Sequence, residues 1–452
     1  MSLIIPANSA VSGGFDVANS LMFNRADSAY LVHTNSGTGD YQQSTFSAWV
    51  KRSSLGTIQT MWNNQVQAGV NQVRFEFDAA DKIYIYGEEG GGYALRAVTT
   101  SVYRDLSAWY HVLVIIDTPQ SAAADRIKLY VNGVQVTLTF STTPAQNANL
   151  RINYDNTPVS VGSTQASNYL DGYMAEVYWI DATVYATSDF GEFDEDSGIW
   201  KPIDASGLTF GTNGFYLDFE DSSALGNDAA GSNNFSLNNI AATDQATDTC
   251  TNNFCTLNPL AISAQVPTYS QGNCQSVSDG GWHSVMGTMG FSSGKWYWEV
   301  KVTTSGGNFH GILADYVNFA DATVYNEVGQ TTYTADDGGE IKFGADTTTA
   351  DYGAVGQNDI TGIAINMDDK QISIYDNGSA IISNVALDDA ANLGFVLPLG
   401  VESGATVQWN FGGCSAFALT SAVSDANDYG NFEYAPPSGY FALCTKNLAE
   451  YG

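Results

Sequence analysis

Residues 294–303, GKWYWEVKVT, constrain the fold more than any other stretch. Trp296, Trp298, Val300 and Val302 alternate with Lys295, Tyr297, Glu299 and Lys301. A period of two means a β-strand with one face buried and the other wet. Two indoles on the buried side place this strand at the centre of a sandwich core, because each hides a large apolar area.

The same alternation recurs along the chain. Residues 45–51 (TFSAWVK), 72–78 (QVRFEFD), 82–86 (KIYIY), 109–117 (WYHVLVIID) and 169–181 (YLDGYMAEVYWID) read as strands. The first pair of alternating runs, 72–78 and 82–86, makes a hairpin over a short loop. In RIKLYVNGVQV (126–136) the alternating flanks surround Asn132-Gly133, the signature of a type I′ turn. Later, DITGIAINM (359–367) and QISIY (371–375) form a hairpin over Asp368-Asp369-Lys370, and TVQWNF (406–411) is a further strand.

A chain of 452 residues exceeds one ordinary core, so more than one domain is expected. The expected fold class is all-β, with two antiparallel β-sandwiches joined by a Ser/Asn/Gly-rich connector. The boundaries read as an extended arm over 1–20, a sandwich over 21–185, a connector with short strands over 186–268, a second sandwich over 269–413 and a tail over 414–452.

Lys and Arg number 16 against 48 Asp and Glu, a formal net charge of −32. Such a chain repels phosphate backbones and anionic membranes, so neither nucleic acid nor membrane is an expected partner. No apolar run reaches the ~20 residues that span a bilayer. The opening MSLIIPANSAVSGG lacks a basic n-region, which argues against a secretory signal. The five cysteines (250, 255, 274, 414 and 444) lack the paired spacing of a zinc site and read as free or locally paired thiols.

In order, TFSAWVKR, WYHVLVIID, KLYVNGV and LDGYMAEVYW resemble the laminin-G-like, concanavalin-A-like sandwich over residues 20–185. GKWYWEVKV, ITGIAINMDDKQISIYDNG and LPLGVESGATVQWNFG are similar to a SPRY domain over residues 270–413. The start DVANSLMFN, the stretch TNNFCTLNPL and the end YAPPSGYFALCTKNL resemble tail-fibre-like and other virion proteins of marine bacteriophages. The resemblance implies a virion-surface protein, a tail-fibre, spike or head-fibre adhesin that contacts host-surface glycan or protein. Its partners would be other virion proteins, and a homo-oligomer, taken as a trimer, is expected. The alternatives are a capsid or tail decoration protein without a receptor, and a polysaccharide-degrading enzyme.

Candidate sites follow from loops and acids. By analogy with SPRY rims, the segment 315–337 offers Tyr316, Phe319, Tyr325 and Tyr333 as ligand contacts, and the loop EEGGGY offers Tyr93. Tyrosine suits sugars and protein epitopes alike; the alternative is that these rings pack under long loops. No cofactor is certain. Laminin-G-like sandwiches often hold calcium at a sheet rim, which makes Asp27 and Asp171 the candidate ligands, and the alternative is that both cap turns. Gly290-Phe-Ser292-Ser-Gly294 fits G-x-S-x-G, but a strand follows it, not the helix a nucleophile elbow needs. Glu192 and Asp194 could converge as a glycosidase pair, or lie in a solvated acidic loop. The four histidines (33, 111, 283 and 310) are scattered, and His111, inside an apolar strand, reads as a satisfied core or edge residue. The expectation is a protein without an active site.

Overall fold

The computed structural model describes residues 14–67, 70–165, 167–261, 265–304, 306–317, 329–334, 339–344 and 347–452. The chain divides between Thr251 and Asn252 into two compact units. Each is an antiparallel β-sandwich with its own core. Among the described residues no helix is long and apolar enough to cross a membrane.

In the unit ending at Thr251, one sheet runs Val134–Gln135, Ile127–Val131, Trp109–Asp117, Gln43–Arg52, Gly172–Asp181, Ser20–Phe23, Gln245–Ala246. Phe215–Leu217 also pairs with Gly172–Asp181. The other runs Leu138–Thr142, Gly92–Thr99, Ile83–Glu89, Asn71–Phe77, Gln59–Gln67, Pro158–Val161, Tyr30–Thr34, Ser236–Asn238. Trp62 of the second sheet stacks on Trp179 of the first, centroids 4.2 Å apart, and Phe75 lies 5.0 Å from Trp62. The turn at Asn132-Gly133 has φ of 49° and 76°, as type I′ requires. A Cβ on Gly133 would meet the Trp200 ring at 2.2 Å, so the glycine also serves packing.

The expected connector over 186–268 is not one. Its part up to Thr251 belongs to the first unit. Phe190, Ala205 and Tyr216 cover Leu113, Ile115, Tyr178 and Ile180 on the outer face of the first sheet. Ser236–Asn238 extends one sheet beside Tyr30–Thr34, and Gln245–Ala246 extends the other beside Ser20–Phe23. Beneath this layer Lys51 Nζ meets Asp248 Oδ2 at 2.6 Å with both side chains buried, and the Trp109 indole donates to Asp248 Oδ1 at 3.0 Å. The arm expected over 1–20 ends in strand, since Ser20–Phe23 is paired on both sides. Residues 1–13 lie outside the described ones.

In the unit starting at Asn252, one sheet runs Thr268–Ser270, Gln275–Val277, Thr406–Asn410, Lys295–Thr304, Ile360–Asn366, Gln371–Asp376, Ser379–Ala386. The other runs Trp282–Met286, Val396–Ser403, Gly307–Ala314, Gln330–Thr334, Glu340–Phe343, Thr347–Asp351. Trp296, Trp298 and Trp409 are buried between them, as the alternation predicts.

The opposite face of that central strand is not wet. Tyr297 packs with Phe254, Phe432, Ala442 and Cys444, and Glu299 is fully buried. The 414–452 segment therefore is no tail. Phe441–Ala442 pairs in parallel with Lys295–Thr304, and a short helix Thr445–Tyr451 follows. Cys274 and Cys414, 140 residues apart in sequence, form a disulfide rather than a local pair; Cys250 and Cys444 are free thiols.

Candidate functional site

The second sheet of the first unit sends Val73, Phe75, Phe77, Ile83, Ile85, Leu95 and Ala97 into the core. Their sequence neighbours therefore point outward. Residues directly opposite across antiparallel strands share a face, so the pairing places three rows on this outer side. One row is Asn63, Arg74, Tyr86 and Arg96; the next is Thr60, Glu76, Tyr84 and Val98; the third is Gln65, Gln72, Glu88 and Tyr93.

These side chains form a connected layer of rings and planar polar groups. Tyr86 lies 5.7 Å from Tyr84 and 5.9 Å from Tyr93, edge to face in both cases. The Arg74 guanidinium sits 4.1 Å above the Tyr86 ring, and that of Arg96 4.4 Å from the Tyr93 ring. Arg96 Nε donates to the Tyr84 hydroxyl at 2.6 Å. Arg74 donates from Nη1 to Gln72 Oε1 at 3.0 Å, and its Nε stands 2.9 Å from Glu76 Oε2 at ion-pair distance, off hydrogen-bond alignment. Gln72 Nε2 donates in turn to Glu88 Oε2. Burial raises the Glu76 carboxyl, against the lowering pull of Arg74.

Tyr93 ends the ladder and is the open member, 55% exposed. It follows the turn at Gly90 and Gly91, both at positive φ with open space where a side chain would stand. Beside that turn, Glu89 pairs with Arg151 at 2.8 Å, and Arg151 lies 4.3 Å from the Tyr154 ring, itself stacked on Tyr41.

The remaining expected contacts fare differently. Tyr316, in the second unit, is 50% exposed, and its hydroxyl donates to Asp389 Oδ2 at 2.7 Å. Tyr333 is not a surface contact: it is fully buried, its hydroxyl donating to the Gly353 carbonyl. Its position in Gln330–Thr334 turns the ring into the core. Phe319 and Tyr325 lie outside the described residues.

The candidate calcium ligands Asp27 and Asp171 each stand in local hydrogen bonds. Asp27 accepts from Asn24 Nδ2 within its own turn, and Asp171 accepts from Ser54 and from the Arg25 amide. Among the described residues no group of three or more His, Cys, Asp or Glu side chains could hold a metal. Glu192 and Asp194 do converge, but on Lys201, whose Nζ is 3.3 Å from each. The Ser197 amide and hydroxyl hold Asp194 down at about 2, far from the range of a general acid. The G-x-S-x-G stretch runs straight into Lys295–Thr304. His111 is buried, accepting from the Trp200 indole at Nδ1 and standing 2.8 Å from Ser47 Oγ at Nε2; burial lowers it to about 3, so it stays neutral.

The sequence reading named Tyr93 as a candidate and did not name Tyr84, Tyr86, Arg74 or Arg96, which stand on the same face. The signal was present in QVRFEFD and KIYIY, whose non-core positions carry Arg, Glu and two Tyr. Only the register of the hairpin turns those letters into one surface.

Residues 25–187 match the family described as the concanavalin A-like lectin/glucanases superfamily. No curated protein matches the chain. Among solved structures, a putative carbohydrate binding protein from Bacteroides ovatus is similar at 16% identity and a TM-score of 0.35, over 50% of this chain and 59% of that one. The heptameric SAP-like pentraxin of Limulus polyphemus is similar at 11% identity and a TM-score of 0.30, over 38% and 80%. The SPRY domain of human HERC1 is similar at 18% identity and a TM-score of 0.26, over 31% and 86%.

Proposed function

We propose that the chain is a non-enzymatic carbohydrate-binding protein whose glycan docks at the open, Tyr93 end of the Tyr84–Tyr86–Tyr93 ladder. The ladder carries the reading: three rings and two guanidinium planes share one outer face, and Tyr93 is open to solvent. Sugar rings offer apolar C–H faces edged by hydroxyls. Aromatic faces receive the first, while guanidinium and hydroxyl groups such as those of Arg96 and Tyr93 receive the second. Titrating the full chain against a glycan panel tests it. Tyr93→Ala is expected to weaken binding at least tenfold, about 1.4 kcal/mol, and Tyr316→Ala to leave it unchanged. Absence of binding to every glycan overturns the reading.

The wider role we propose is that of a bacteriophage virion-surface adhesin, a homo-oligomer attached to other virion proteins. Support comes from the sequence resemblance of DVANSLMFN, TNNFCTLNPL and YAPPSGYFALCTKNL. Immunogold labelling with an antibody to residues 270–413 tests it. Label on tail fibres or tips supports host attachment, even label over the head supports decoration, and no label removes the virion role.

A further inference from the structure

We propose that the glycan is acidic, and that Arg96 receives its carboxylate or sulfate; this rests on the carbohydrate reading above. Acids outnumber Lys and Arg by 48 to 16 in this chain, and several of the cations stand in ion pairs. Arg74 stands at Glu76, Arg151 at Glu89, Arg52 and Arg104 at Asp81, Lys51 at Asp248 and Lys201 at Glu192 and Asp194. Arg96 is different. Among the described residues no carboxylate pairs with it; a tyrosine hydroxyl holds Nε and a tyrosine ring flanks the guanidinium plane. A planar fork held this way is pre-ordered to take a carboxylate or sulfate through its terminal nitrogens.

Its place on the face suits that task. Arg96 shares its row with Tyr86 and packs on Tyr93, so a sugar on the exposed Tyr93 ring brings a ring substituent within reach of the guanidinium. The nearest acids of the face are already engaged, Glu76 beside Arg74 and Glu88 by Gln72. The net charge of −32 opposes a polyanion at long range, but that repulsion decays over about 8 Å at 0.15 M salt, whereas the Arg96 contact forms at hydrogen-bond distance.

The test titrates the full chain at 0.15 M salt with galacturonate oligosaccharides and their carboxyl-reduced form, and with sulfated galactan oligosaccharides, which carry no carboxylate, and their desulfated form. The charged form is expected to bind at least tenfold tighter than its neutral counterpart, and the arm with the larger ratio tells carboxylate from sulfate. Arg96→Gln is expected to erase that ratio and Arg96→Lys to restore part of it, with far-UV circular dichroism matching wild type. Equal binding of charged and neutral forms overturns the acidic-glycan inference and leaves the carbohydrate reading standing. No binding of any oligosaccharide overturns both.

Discussion

Glu176 and Glu299 occupy strand positions whose alternation makes them solvent-facing, yet both are enclosed. Glu176 accepts from the Tyr178 and Tyr216 hydroxyls, and Glu299 from Asn410 Nδ2 and the amides of Glu433 and Tyr434. Burial lifts each from the ordinary 4.5 to about 7. A folded pKa above the unfolded one means the folded state holds the proton more tightly. The resulting stability is fully present below about 4.5 and is lost as pH rises through about 7. Glu176→Gln is uncharged throughout, and the two tyrosine hydroxyls can turn to suit it. It is therefore expected to reduce the fall in Tm between pH 5.5 and 8.5, a fall to which each acid contributes on the order of 2 kcal/mol within that window. Thermal melts across that range check it; an unchanged slope would show that Glu176 does not titrate there.

Short pieces of chain do more than their lengths suggest. Phe441–Ala442 has two residues, yet it and its neighbours cover Tyr297 and Glu299 and bring Cys444 against Phe254. Removing 414–452 would leave a buried carboxylate without two of its amide donors and strip the cover from an apolar face. It also deletes Cys414 and with it the disulfide to Cys274, a closure of 140 residues for which chain entropy gives about 5 kcal/mol. The shortened chain is expected to lose near-UV circular dichroism from the second unit's tryptophans and to aggregate. A soluble product with native near-UV bands would contradict this. The hairpin Gly191–Phe193 with Trp200–Pro202 is the same kind of device in the first unit: too short to show a period, it places Trp200 over His111 and Gly133.

The domain boundary is decided by the whole sandwich. A piece ending at residue 185 would leave Tyr30–Thr34 and Ser20–Phe23 as open edges and bare the outer face at Tyr178 and Ile180, inviting aggregation. A piece covering residues 14–251 keeps both closing strands and the covering layer, and is expected to be soluble, folded and as good a glycan binder as the full chain. Equal solubility of the two pieces would refute that boundary. The long strands and their hairpins were legible because binary alternation and an Asn-Gly turn are local signals that survive in any context: 45–51, 109–117, 126–136 and 294–303 needed no tertiary information. Tyr93 was legible too, as an aromatic ending a glycine loop. What the sequence by itself determined is thus the all-β class, two cores, the strands that build them and one residue of the candidate site. Tertiary structure alone decided that the connector and the tail are outer layers, that Tyr333 faces the core, and that Arg74, Tyr84, Tyr86 and Arg96 adjoin Tyr93. The reason is physical: alternation says that two faces differ, but whether the second face meets water or another layer, and which side chains stand abreast on it, depends on strand register and on contacts between residues far apart in the chain.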